Sequence, residues 1–319
     1  MILQLLVYGL QLGCAYALLA IGYSMVYGII GMSNFAHGDF MMVGAYVAYY
    51  IFSTFTDVPT NILVIIGVII AAMFCTGALG VTIERLAYKP LRNKARLTAL
   101  ITAIGMSIFL ESFPRALSFI GPNAKSFPTI IPVKMYSLGT LMITNVQLIM
   151  IGVTLVLCLV MYLFVQKTSY GKQMRAVCQD KNAASLMGIN VNGVISLTFF
   201  IGAALAALSG CLYSCLYPTI TLTMGSTMGM KPFICAVFGG IGDIRGAMLG
   251  GLVMGIIEIF ASYVNSEFAY GVSFIVLILV LIFRPGRHSG SQDRRESVGA
   301  VCIGNLSESP VMCVGSSAS

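Results

Sequence analysis

Few residues in this sequence can bind a solute, carry charge or bend a backbone inside an oily chain, and they gather in short stretches. The first is Gly28-Ile29-Ile30-Gly31-Met32-Ser33-Asn34-Phe35-Ala36-His37-Gly38-Asp39. Its glycines loosen a helix while Asn34, His37 and Asp39 can satisfy the freed backbone groups, so a discontinuous helix at membrane depth is physically reasonable. Two readings stand side by side. Asn34, His37, Gly38 and Asp39 line a solute pathway as a flexible element, or they form a capped helix junction with Asp39 near the start of the next helix.

A second glycine cluster, Gly239-Gly240-Ile241-Gly242-Asp243-Ile244-Arg245-Gly246-Ala247, likewise carries one acid and precedes a fresh apolar run. Paired breaks in two halves of a chain point toward a central site; an Asp243 and Arg245 pair at a turn is the plainer alternative. Among the charges inside apolar runs, Glu111 and Arg115 stand four apart and can neutralise each other on one helix. Glu258, in Ile256-Ile257-Glu258-Ile259-Phe260, has no neighbouring base in sequence. An intramembrane acid is a functional candidate by default, facing a polar pathway or a partner subunit. His37 and His288 are the histidines, too few for a catalytic or zinc set, and no G-x-x-x-x-G-K-[ST] loop occurs, so any ATP-driven work needs another chain.

Between Gln166 and Val194 the chain turns polar and basic, around Asn182-Ala183-Ala184-Ser185-Leu186-Met187-Gly188. A short helix with small residues on one face can dock in a partner's cleft, so residues 167–190 read as a protruding handle.

The elements that must position these groups are membrane helices. The 319 residues are 58% hydrophobic and 9% charged, with mean hydropathy +0.93, far outside the range of soluble domains. Apolar runs of spanning length are Leu3 to Val26, Phe40 to Phe55, Ile62 to Ile83, Ala99 to Phe119, Thr144 to Val165, Val194 to Leu216, Ala247 to Val264 and Tyr270 to Phe283, with a short one at Pro232 to Gly240. The expected fold is therefore all-α, a polytopic transmembrane bundle of about eight or nine spans with Gly-rich helix breaks, in which the short Pro232 segment either crosses or dips in and returns. Residues 1–285 form the membrane domain; 286–319, rich in Ser and Gly without apolar period, are expected to be a disordered tail. Met1 leads into an apolar stretch without a basic n-region, which reads as a retained span rather than a signal peptide.

Small residues at Gly9-xxx-Gly13, Gly202-xxx-Ala206-xxx-Gly210, Gly246-xxx-Gly250 and Gly251-xxx-Gly255 argue for closely packed helices or a dimer. The net charge of +7 comes from basic residues beside apolar runs, where they set orientation and meet anionic lipid headgroups, so nucleic acid is not a partner. Arg85, Lys89, Arg92, Lys94 and Arg96 in one loop, and Lys167, Lys172, Arg175 and Lys181 in the handle, put both on the cytoplasmic side. The N-terminus then lies outside and Arg284 inside, provided the Pro232 segment carries the chain across.

YGIIGMSNFAHGDFMMVGAYVA, ERLAYKPLR, the handle and VFGGIGDIRGAMLGG together resemble the branched-chain amino-acid ABC importer permeases of the LivH type, from about Leu5 to Pro285. NFAHG is also shared with urea permeases. The resemblance implies a bacterial or archaeal inner-membrane importer subunit, not an enzyme and without a cofactor, that carries leucine, isoleucine, valine or a similar small amino acid. It implies a second, LivM-like permease chain, two ABC ATPase subunits and an extracytoplasmic substrate-binding protein. It also assigns the handle: Ala183, Ala184 and Gly188 match the Ala-Ala-xxx-Gly part of the ATPase-coupling loop, within a candidate set of Asp180, Lys181, Asn182, Ala183, Ala184, Leu186, Gly188 and Ile189. Asn182 stands where that family usually has Glu. A stand-alone ion-coupled carrier is the rival reading, weakened by the scarcity of buried acids.

Overall fold

The computed structural model describes residues 2–54, 62–92, 94, 96–118, 120–128, 134–138, 141–240 and 242–283. The order is α1 (Ile2–Ile30), α2 (His37–Thr54), α3 (Ile62–Ile83), α4 (Arg96–Ala116), β1 (Lys125–Ser126), β2 (Met135–Leu138), β3 (Leu141–Thr144), α5 (Asn145–Lys167), α6 (Ser169–Gln179), α7 (Lys181–Leu186), α8 (Val191–Leu216), β4 (Thr219–Ile220), α9 (Met224–Gly239), α10 (Ile244–Val264) and α11 (Ser266–Phe283). Helices dominate as expected. The loops add two small antiparallel ladders, β1 with β4 and β2 with β3. The expected tail, Arg284 and the Asp57 loop lie outside the described residues.

Among the described residues six helices are long and apolar enough to cross a membrane: α1, α3 with its extension to Leu91, α4, α5, α8 and α10. The centre is α1 and α8, whose spanning windows are 72% and 78% buried, while α3, α4 and α5, at 17–22%, form the rim. Backbone contact explains this core. A Cβ on Gly13 would lie 2.8 Å from Leu252 Cα, one on Gly9 2.7 Å from Ile256 Cα, and Gly255 abuts the backbone of Gly13. The Gly9-xxx-Gly13 and Gly251-xxx-Gly255 stripes read from sequence thus close the interior α1–α10 seam, while Gly246 and Gly250 meet the α9 backbone and Gly210 that of α2. Without water to drive helices together, such close packing supplies the attraction.

α1 also fixes the two sides of the bundle. Gln4 donates from Nε2 to Met142 O (2.8 Å) and accepts from Met142 N–H (3.0 Å), tying the helix start to the β2–β3 hairpin. Its other end meets α6 and α7 through Gly28 and Ile30. Arg92 Nη1 donates to Asn192 Oδ1 (2.7 Å), so the two basic loops share that second side. α9 starts after β4, which pairs with β1, and ends at the second glycine break beside Gly28.

α9 starts earlier than its apolar run suggested. Pro232 reads as a helix start because it lacks an N–H, yet it lies inside the helix. The turn before it is held by Ser226 and Thr227 hydroxyls, which donate to Thr223 O at 3.0 and 3.1 Å.

Candidate functional site

At the first break the chain turns back into the bundle. α1 ends at Ile30, and Gly31 at φ +75° sends its N–H to Tyr27 O (2.7 Å), a left-handed helix cap that favours glycine. Residues 31–36 then re-enter, and α2 begins at His37. A Cβ on Gly22 would lie 3.0 Å from His37 Nε2, so His37 sits level with a point eight residues inside α1, about 12 Å from its end at 1.5 Å per residue. Irregular backbone at this depth survives because protein surrounds it.

The structure gathers Asn34, His37, Gly38 and Asp39 into one buried cluster. Asn34, His37 and Asp39 are 3%, 1% and 0% exposed. Tyr88 donates its hydroxyl to Asn34 Oδ1 at 2.7 Å. His37 stands edge-on to Tyr23 and Phe40, with ring centroids 5.8 and 6.0 Å away. Gly38 packs against the Gly225 and Gly229 backbone of α9. Asp39 lies in the first turn of α2, but neither carboxylate oxygen has a hydrogen-bond partner, nor does His37 Nε2. Asp39 is thus near the helix start without capping it. Each unpaired buried polar group costs about 1–3 kcal/mol.

The second break adjoins the first. Gly242 (φ +87°) donates its N–H to Ser24 Oγ at 2.9 Å, and a Cβ on Gly28 would lie 3.2 Å from Gly242 Cα. The proposed Asp243–Arg245 pair is not an ion pair. Asp243 Oδ1 accepts the Arg245 backbone N–H (3.1 Å) and caps α10, while the guanidinium lies over the Tyr162 ring, 4.1 Å from its centroid. Capping the first turn satisfies an otherwise orphaned amide.

Glu258 departs most from expectation. It does have a base: Lys231 of α9 donates to Glu258 Oε1 (2.5 Å) and to the Tyr16 hydroxyl (2.8 Å), which itself donates to Glu258 Oε2 (3.0 Å). Three helices meet in this charge-neutral triad. Glu258 is therefore kept apart from the Asn34–Asp39 cluster. Lys231 was missed because it stands at the edge of the short Pro232 run, 27 residues before its partner. The signal available was elimination, since a lysine entering an apolar run needs an acid there. Glu111 and Arg115 pair as expected, at 3.2 Å.

The handle forms two short helices. α6 is capped by Thr168, whose Oγ accepts from Gly171 N–H (3.1 Å), and it buries Gly171, Met174 and Val177 at a spacing of three. Asp180 caps α7 by accepting from the Asn182 and Ala183 amides at 2.8 and 3.2 Å. Gly188 closes it at φ +81°, with nothing within 4 Å of a Cβ built there. The inner side grips the end of α1: Cys178 Sγ donates to Gly28 O (2.8 Å) and Lys181 Nζ to Ile30 O (3.3 Å). Loss of water there, then the positive charge of Arg92, pull the Lys181 pKa below that of a free lysine. Ala184 faces inward and buried, whereas Leu186 and Met187 are 88% and 83% exposed. Lys181, Asn182, Ala183 and Ala184 make up most of this helix, and Ile189 N–H returns to Ala184 O (3.1 Å) beyond it.

Apolar spanning helices, a buried break and a protruding capped helix define a polytopic helical membrane protein by class. The chain belongs to the family described as branched-chain amino acid transport system / permease component, which it matches over residues 5–281. It is 43% identical over 291 residues to the high-affinity branched-chain amino acid transport system permease protein LivH of Salmonella typhimurium, covering 89% of this chain and 94% of the relative. The BraD permease protein of Pseudomonas aeruginosa is 42% identical over 293 residues with the same coverage. A probable LivM permease protein of Methanocaldococcus jannaschii is 23% identical over 151 residues, 42% of this chain and 44% of that protein.

Proposed function

We propose that this chain is the permease subunit of an ATP-driven importer for branched-chain or similar small amino acids in a bacterial or archaeal inner membrane. Its residues 1–285 form one transport domain that pairs with a LivM-like permease. Two ABC ATPase subunits lie beneath, an extracytoplasmic binding protein delivers the solute, and lipid surrounds the rim. The similarity to both LivH and LivM proteins favours a permease pair. The basic loops at 85–96 and 167–181 favour a cytoplasmic handle. In this reading there are nine passages. α9, with 16 residues, spans only about 24 Å of a roughly 30 Å core, so α2 and α9 serve as partial passages that start at depth beside each other.

One observation carries the coupling assignment: a capped helix grips the end of α1 on its inner side and presents two apolar side chains, Leu186 and Met187, to the aqueous side. An apolar tip on a soluble protrusion is a docking feature. Asp180, Lys181, Asn182, Ala183, Ala184, Leu186, Gly188 and Ile189 form this coupling surface, and Asn34, His37, Gly38 and Asp39 the moving pathway element. Glu258 positions helices instead.

In the reconstituted importer, Gly188→Glu is expected to lower uptake at least tenfold while the permease still inserts in normal amount. It adds charge to the docking tip and strains a left-handed backbone by roughly 1–2 kcal/mol. Gly188→Asn, which tolerates that conformation, stays within about threefold of the unmodified protein. Normal uptake by Gly188→Glu refutes the coupling role.

A further inference from the structure

The ERLAYKPLR stretch has no part in the function so far, yet its geometry is unusual. α3 does not end as a regular helix: Glu84–Tyr88 widen into a π-helical turn, and Lys89–Leu91 tighten into a 3₁₀ turn. π turns are rare and frequently sit at functional sites. This one aims two side chains. Tyr88, 3% exposed, bonds Asn34 Oδ1 of the buried break. Glu84, fully buried, accepts from Ser196 Oγ of α8 (2.6 Å) and from Arg92 Nη2. Arg92 uses its other nitrogen on Asn192 Oδ1 at 2.7 Å. The Tyr88 ring packs on Phe199, with centroids 5.5 Å apart. Asn192, Ser196 and Phe199 are spaced four and three apart, one face of the first turns of α8. That helix begins directly after α7, with Asn190 as its cap accepting from Gly193 N–H at 3.0 Å.

We infer that Glu84, Tyr88 and Arg92 are positioning residues of a transmission joint, in which the π turn of α3 passes motion from the start of α8 to Asn34 and the buried break. The inference rests on the reading of α7 as the ATPase-docking helix. Coupling needs an element with two discrete arrangements, and a π turn has one: reverting to α-helix shifts the register by one residue and rotates Tyr88 by about 100° about α3. A displaced α7 moves α8, Arg92 and Glu84 hold the turn to α8, and Tyr88 moves Asn34. Force thereby reaches the interior by a route separate from the Cys178 and Lys181 grip on α1.

The test uses the assembled importer in liposomes, measuring solute uptake and ATP hydrolysis stimulated by the loaded binding protein, each per inserted complex. Tyr88→Phe removes one oxygen and keeps the ring; Arg92→Lys keeps the charge but cannot bridge Glu84 and Asn192 together. Both variants are expected to lower solute moved per ATP at least fivefold while complex yield and hydrolysis stay within about twofold of normal. A ratio within twofold of normal overturns the joint, and so does a parallel loss of yield, uptake and hydrolysis, which marks a merely structural role. A photocrosslinking amino acid at position 186 separates the two readings. If it captures the ATPase while the ratio is unchanged, the joint alone fails; if it never does, the docking reading falls and the joint with it.

Discussion

Lys231→Met is expected to leave little folded protein in the membrane, because it strips Glu258 of its cation at a place where water cannot replace it. Lys231 and Glu258 are 5% and 9% exposed, and after the change the Tyr16 hydroxyl is the donor left to the carboxylate among the described residues. Removing one partner of a buried pair typically costs about 3–5 kcal/mol, a large part of the roughly 5–15 kcal/mol that holds most domains folded. The double variant Lys231→Met, Glu258→Met removes both charges at similar volume and should recover most of that loss. Thermal unfolding in detergent, with the yield of inserted protein, checks both. If the single variant is as stable as the double, the triad is not an interior ion pair that holds α9 to α1 and α10.

Gly255→Leu is expected to be as damaging by a different mechanism. A Cβ there falls on the backbone of Gly13, and at 2.7 Å from Gly9 O; no side-chain movement relieves a clash with backbone. α10 must move away from α1, and because Glu258 lies less than one turn further along α10, the triad opens as well. Gly255→Ala is expected to cost about 1–3 kcal/mol, the usual range for overpacking, and Gly255→Leu to abolish a monodisperse folded peak in size-exclusion chromatography. Gly105→Leu on α4, where a Cβ meets nothing within 4 Å, is the matched control and should behave like the unmodified chain. A folded Gly255→Leu protein with an unchanged melting point would show that the α1–α10 seam is not the close contact described.

Much of the candidate site was legible for definite reasons. Gly31, Asn34, His37 and Asp39 interrupt an apolar run, and polar residues there have few uses besides a break, so the discontinuity at α1–α2 could be read directly. Asp180 before a short run of small residues, with Gly188 after it, gives both ends of α7. What failed were matters of pairing. Asp243 and Arg245 are two apart, which favours a pair on paper, but the carboxylate is taken by a backbone amide and the guanidinium by Tyr162. Glu258 looked unpartnered because its base is on another helix. Nothing in Glu84-Arg85-Leu86-Ala87-Tyr88 announces a π turn, since the extra residue per turn is stabilised by what Glu84 and Tyr88 bond far away in sequence.

The sequence alone determined the helical membrane class, the positions of the breaks, the polar handle and the small-residue stripes, because hydropathy, helix caps and glycine freedom act within one or two turns of chain. The tertiary structure decided which groups meet: Lys231 with Glu258 and Tyr16, Tyr88 with Asn34, Gly28 with Gly242, and the stripe of α1 with that of α10. Each of these contacts depends on how two helices rotate and slide against each other. In a membrane that choice is set by backbone closeness and by the few polar groups that must find one another, and neither is written into any single segment.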